Sequence, residues 1–179
     1  MIKPAYYFTL IYLIIGCHNT DLKNRNDLSL IETAKKIHSK VIVLDTHNDI
    51  DINNFSDSIN YSQNTNSKVN ILKMIKGVLD KSWFVEYNNA GINAQNKFDA
   101  INRLVNDYAS DLISLATNSR EVDSIVKLGK KVAMIGVENA YPIGEDLNEI
   151  RRYAKLGARY MSLAHNGHNQ FSDSNTEEF

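Results

Sequence analysis

Two hydrophobic rhythms alternate along the chain. From Leu28 to Ser39, apolar residues recur at Leu28, Ile31, Ala34 and Ile37, the spacing of one helix face. Residues 41–45 (VIVLD) are instead a continuous β-branched run, which suits a parallel strand buried on both faces. Residues 51–70, rich in Asn, Ser and Asp without periodicity, predict a long loop and a candidate cover for a site. Residues 82–87 (SWFVEY) predict the next strand. The clearest helical stripe lies in 96–117, carried by Phe98, Ile101, Leu104, Val105, Tyr108, Leu112 and Leu115. A second helix is predicted over 119–128, with Gly129 placed to stop it. Then come a strand over 131–139, a helix over 145–156 ended by Gly157, and a strand over 158–166.

Strands alternating with helices at this spacing predict an α/β fold with parallel strands. Residues 131–165 form one strand–helix–strand crossover of ordinary length. The pattern alone leaves open whether the sheet is doubly wound or closed into a barrel. Residues two apart on a strand share a face. Asp45, His47 and Asp49 are thus in phase on the first strand, Gly136 and Glu138 on another, and Arg159, Met161, Leu163 and His165 on the last. Each of the three strands turns from apolar to ionisable at its C-terminal end, where α/β folds build their sites. Taken singly, Asp49 reads equally as a cap, Glu138 as a solvated strand end and His165 as a hydrogen-bonded structural histidine. His168 and Asn169 read as residues that shape a loop. Together, an imidazole and carboxylates are the ligand set that a zinc-type ion accepts, and a shared carboxylate can hold two ions close together.

Composition narrows the partners. Net charge is −1, with 20 basic and 21 acidic residues, so neither nucleic acid nor an anionic membrane surface is expected as a partner. The N-terminus differs from the rest: Lys3 precedes an apolar run through Ile15 that is too short to span a bilayer comfortably. That is the layout of a secretory signal. Ile14-Ile15-Gly16-Cys17 resembles a bacterial lipobox, in which Cys17 is the lipidated residue. The expected organisation is a signal peptide over 1–16, a polar tether over 17–27 and a partial α/β domain over 28–179, truncated at its C-terminus, the whole exported to a bacterial cell envelope and lipid-anchored. Cys17 is the sole cysteine, so an internal disulfide is excluded.

Residues 44–50 (LDTHNDI) and 132–174 (VAMIGVEN through LAHNGHNQFSDS) resemble the membrane (renal) dipeptidase family of zinc peptidases. The shared pattern is Asp-x-His-Asn-Asp, a strand ending Gly-x-Glu, a helix ending LGARY, and L-x-His-Asn-x-x-Asn. The resemblance implies a (β/α)8 barrel of which this chain is the first half. It implies two zinc ions at the barrel mouth, His47 and Asp49 on the first, Glu138 bridging both, and His165 donating to the scissile carbonyl of a dipeptide substrate. A homodimer is compatible with it.

The sequence departs from that pattern at three places. Asn139-Ala140 stand where glycine usually follows the bridging glutamate. Phe171 stands where tryptophan is common. Two further zinc-binding histidines, an arginine for the substrate carboxylate and a catalytic aspartate have no counterpart here, as expected of an N-terminal piece of the enzyme. Two other functions fit the same residues: a related metal-dependent amide or ester hydrolase, and a surface lipoprotein that binds without cleaving.

Overall fold

The computed structural model describes residues 27–87 and 91–176, with the side chains of 83–87 and 91–93 outside that description. The described residues fall into two units, divided between Val41 and Ile42. In the first, helix α1 spans 27–38, as the apolar spacing predicts. The Thr33 hydroxyl donates to the Ser29 carbonyl inside it, 2.8 Å away. The signal peptide, Cys17 and all but the last residue of the tether fall outside the described residues.

In the second unit, the apolar run Lys131–Glu138 (β4) becomes the centre of a parallel sheet. One edge pairs along its length with β2 (Lys81–Tyr87), from Lys81 opposite Val132 to Tyr87 opposite Glu138. The other edge pairs first with the short β3 (Ile113–Leu115), then with β5 (Ala158–Met161). β1 (Leu44–Asp49) lies on the far side of β2. Apart from the short β3, the strands therefore stand side by side in chain order. This order agrees with the (β/α)8 barrel that the resemblance implies, of which the chain covers roughly the first half.

Helices α2 (Ile71–Gly77), α3 (Gly91–Arg103), α4 (Ser119–Lys127) and α5 (Asn148–Lys155) connect the strands. Alternate β4 residues Ala133, Ile135 and Val137 are buried in one core with Phe98, Ile101 and Leu104 of the α3 stripe and Tyr153 of α5. On the opposite parity, Val132 and Met134 pack with Ala116 and with Val122 and Ile125 of α4. This two-sided burial is what a continuous apolar strand requires.

Four elements differ from the pattern reading. The first strand begins at Leu44 and not at Val41, and Ile42 and Leu44 are 42% and 44% exposed; among the described residues β1 pairs with β2 alone. The 51–70 segment is ordered by its own polar side chains. Asp51 caps a 3-10 turn (Ile52–Asn54), Phe55 bridges Asn60, and Phe55 and Tyr61 are buried with ring centroids 4.8 Å apart. Helix α2, absent from the pattern reading, is seven residues capped by the Asn70 side chain, which accepts from the Lys73 N–H. The predicted 96–117 helix ends early: after α3 a wide π turn (Leu104–Tyr108) closes through Ala109, whose N–H donates to the Leu104 carbonyl. Residues 113–115 then leave the helical path because they pair with β4. Sheet pairing overrides the helical period there.

At the N-terminal end of the sheet, Asp80 fastens three strands. Its carboxylate accepts from the Val43 N–H at 3.1 Å and from the Lys131 ammonium at 3.2 Å. Its carbonyl accepts from the Val132 N–H at 2.8 Å, and its own N–H donates to the Val43 carbonyl at 3.0 Å. Replacing it with alanine strands a half-buried donor and an ammonium together. Asp80→Ala should lower the unfolding free energy by about 1–3 kcal/mol. Asp80→Asn, which still accepts from Val43, should lower it less in the same urea titration.

Candidate metal centre

β1 turns into the site through a bulge. Asp45 lies opposite Ser82 and Asn48 opposite Phe84, so three steps on β1 match two on β2. The extra residue reverses the parity, which places Asp45 and Asp49 on opposite faces and corrects the in-phase reading of Asp45. Asp45 instead supports the bulge, its carboxylate accepting from the His47 N–H at 3.1 Å. Asn48 is directed to the sheet, donating to the Ser82 hydroxyl at 2.8 Å. His47 and Asp49 are brought together: Nε2 of His47 stands 3.5 Å from Oδ1 of Asp49.

Glu138 ends β4 and meets them across β2. Its Oε2 lies 3.8 Å from His47 Nε2, and its Oε1 lies 3.3 Å from His165 Nε2. The Glu138 side chain is 16% exposed, between imidazoles that are 47% and 37% exposed. Ligating atoms of His47, Asp49 and Glu138 all fall within 4.8 Å of one another. Donors held on the corners of a zinc tetrahedron, at about 2.1 Å from the ion, stand about 3.4 Å apart. The His47 spacings to Asp49 and Glu138 come near that. One imidazole nitrogen and two carboxylates also match zinc in softness and charge, so the residues present fit such an ion.

His165 does not sit on a strand. β5 stops at Met161, and His165 forms an isolated bridge with Gly167, while the Ser174 hydroxyl donates to the His165 carbonyl. β5 carries its own bulge, since Ala158 pairs with Ile135 but Tyr160 with Gly136. The inward residue is therefore Tyr160, and the predicted in-phase set Arg159, Met161, Leu163 and His165 is not one. Arg159 turns away, donating to the carbonyls of Thr117 and Ala154. The Tyr160 ring lies against position 136, where a Cβ would stand 2.2 Å from its Cε1. The phenol is held above its usual pKa by burial first, then by the charges of Glu138 and Asp49. It stays protonated beside both carboxylates. Periodicity does not reveal Tyr160, and the usable signal is Gly136, since glycine inside a strand marks a close approach.

His168 stands apart. Its Nδ1 accepts from the Ser174 N–H at 3.0 Å and also lies 3.4 Å from Asp173 Oδ1. One nitrogen cannot accept and donate at once. The backbone bond decides, because Asp173 is 96% exposed, and His168 shapes its loop as expected. His47 and Asp49 also line an open cleft of about 490 Å³ whose far wall is the 51–70 segment, through Asp51, Asn54, Tyr61 and Lys68. A larger hollow of about 690 Å³ runs along α5 and β5, but no carboxylate or imidazole lines it, so the smaller cleft is the chemical one.

Residues 31–179 match the model of the membrane dipeptidases, peptidase family M19. The chain belongs to the membrane dipeptidase family. Among curated relatives, dipeptidase verJ of Clonostachys rogersoniana is 35% identical over 78 residues, 44% of this chain and 20% of that protein. The uncharacterized dipeptidase C965.12 of Schizosaccharomyces pombe is 25% identical over 85% of this chain and 42% of its own length. The fold matches that of the probable dipeptidase PvdM from Pseudomonas aeruginosa, with a TM-score of 0.76 at 15% identity over 83% of this chain and 41% of that one. A solved dipeptidase AC, a metallopeptidase of the same family, gives 0.56 at 17% identity, over 69% of this chain and 43% of that one. The chain thus spans less than half the length of these relatives.

The departures from the membrane dipeptidase pattern have structural answers. Asn139 adopts φ 77°, the left-handed conformation that the usual glycine takes without strain and asparagine tolerates best among side-chain-bearing residues. The backbone route past Glu138 is therefore kept. Phe171, standing where tryptophan is common, packs half-buried against the main core.

A methyl group at position 136 would meet the Tyr160 ring and push it aside. Gly136→Ala should destabilise the fold by about 1–3 kcal/mol through overpacking. In Tyr160→Ala, which opens the space, the same substitution should cost markedly less when both are measured by urea unfolding.

Proposed function

We propose that the chain carries the zinc-ligating part of a metallo-dipeptidase, with His47, Asp49 and Glu138 as ligands and Glu138 as the carboxylate shared between two ions. The observation that carries this is the meeting of these three side chains at the C-terminal ends of β1 and β4, with His165 on the other side of Glu138. Zinc bound there supplies Lewis acidity and a water that ionises near neutral pH. The protein's own residues do the rest. Glu138 presents one oxygen toward His47 and the other toward His165, so a single carboxylate spans both sides of the mouth. Asp49 adds a second negative charge on the more exposed side, where it favours cation binding. His165 offers Nε2 to the mouth as the donor to a dipeptide carbonyl that becomes an oxyanion.

The reading extends to the cell surface. Lys3, the apolar run through Ile15 and the Ile14-Ile15-Gly16-Cys17 sequence support export and lipidation at Cys17 in a bacterial envelope, with 17–27 as the tether to a domain over 28–179. Among the described residues, no helix is long and apolar enough to cross a membrane. Cys17→Ser should release the protein from the membrane fraction or block its processing, and unchanged detergent partitioning would count against the anchor.

Zinc titration tests the site itself. This chain should take up about one zinc ion per molecule with modest affinity, because three protein ligands leave a tetrahedral site open. Glu138→Gln keeps the shape and removes the charge, so calorimetric zinc binding should be lost, along with dipeptide cleavage in the longer enzyme. Undiminished zinc binding in that variant would sink the assignment of Glu138.

A further inference from the structure

We propose that Asn139 and Asn169 form a latch that positions His165 against Glu138. The proposal rests on the reading of Glu138 and His165 as parts of the site.

Regular pairing of β5 ends at Met161, four residues before His165. Beyond Met161 the backbone is held largely by side chains, and the Asn169 amide alone makes three of those bonds. Asn169 donates from Nδ2 to the Leu163 carbonyl, and its Oδ1 accepts from the N–H groups of Phe171 at 2.8 Å and Ser172 at 3.2 Å. It therefore ties together both flanks of the segment that presents His165. The same Nδ2 donates to Oδ1 of Asn139 at 2.7 Å. Asn139 is 4% exposed and directly follows Glu138. Its Oδ1 also accepts from the Tyr141 N–H at 3.1 Å, and its own N–H donates to the Ser162 hydroxyl at 2.9 Å.

One amide pair thus joins the backbone beside the Glu138 carboxylate to the loop that carries the imidazole 3.3 Å from it. Other fastenings are the Ser162 N–H on the Val137 carbonyl at 3.0 Å, a 3.3 Å bond from the Ala140 N–H to the Leu163 carbonyl, the Gln170 amide on the carbonyls of Tyr141 and Gly144, and the Ser174 hydroxyl on the His165 carbonyl within the loop. Gln170 is exposed and competes with water, so its bonds hold the loop less firmly. The left-handed turn at 139 needs a residue free to adopt it, and glycine would serve as backbone. Glycine would not supply the acceptor that holds Asn169. Asn139 and Asn169 are positioning residues, acting on the reaction through His165.

Asn139→Gly separates the two roles, because it keeps the turn and the N–H to Ser162 while removing the acceptor. In the full chain, with histidine side chains labelled with ¹⁵N and His165 assigned through His165→Gln, this variant should stay folded by circular dichroism. Its His165 imidazole signal should shift or broaden while that of His38 stays put. Loss of one net hydrogen bond should speed amide exchange at Phe171 and Ser172 by about tenfold. Asn139→Asp retains both acceptor contacts and should restore the slow exchange. Asn169→Ala should reproduce the His165 change, and the double variant Asn139→Gly/Asn169→Ala should add little to it. A folded Asn139→Gly protein with the His165 signal and both exchange rates of the parent would overturn the proposal. These readouts need no bound zinc and no turnover, so the latch and the dipeptidase reading fail separately.

Discussion

Everything at the site hangs on one register: the seven-residue parallel pairing of β2 with β4, from Lys81–Val132 to Tyr87–Glu138. Parallel strands held without slip deliver their C-terminal ends to the same level, and a one-residue shift would turn Glu138 to the other face. The flanking strands are less regular, and that irregularity is where the chemistry enters. β1 and β5 each carry a bulge, at 45–48 and at 158–160, against a central pair that has none. The bulges turn His47 with Asp49, and Tyr160, toward Glu138, as bulges beside active sites often do. A rigid middle with adjustable neighbours lets residues from separate strands converge on one mouth.

The same strands show how one kind of residue serves two ends. Asp80, at the N-terminal end of the sheet, is met by two donors, the Val43 amide and the Lys131 ammonium. Its charge is committed to structure. At the C-terminal end, Asp49 and Glu138 face imidazoles, and among the described residues no Lys or Arg forms an ion pair with either. Two carboxylates drawn together without a fixed cation repel one another and raise the affinity for a divalent one. The Tyr160 phenol, kept protonated beside them, adds a dipole without adding charge.

Much of this is legible in the chain. Helices 119–127 and 148–155 and the strand 131–138 follow from periodicity and stop signals, because local period and tertiary burial agree there. His47, Asp49, Glu138 and His165 stand out by their position after apolar runs. What periodicity cannot carry is a change of phase. Bulges insert a residue that leaves no compositional mark, so the face assignments of Asp45 and of the set from Arg159 to His165 fail, while His47, Asp49 and Glu138 still meet. The 96–117 helix comes out too long because Leu112 and Leu115 fit a helical stripe equally well. Only the partner strand β4, farther along the sequence, decides that residues 113–115 are extended. Helix α2 escapes for the opposite reason: at seven residues it is too short for a period to show, although its cap Asn70 is in plain view.

The exposed edges and the open side of the site are one geometric fact. Among the described residues, β1 is bonded to β2 alone and β5 to β4 alone. A barrel of this kind closes when its last strands return to pair with its first. The strand ends run from Asp49 through Glu138 to the His165 loop, with the three candidate ligands grouped along that line. Apolar side chains such as Ile42 and Leu44 at one border and Leu163 at the other are exposed where further strands would lie. Relatives more than twice as long have the chain length to complete such a barrel. The His47, Asp49 and Glu138 side chains, which could hold an ion, nevertheless need none of the remaining barrel for their own geometry, because β1, β2 and β4 position them.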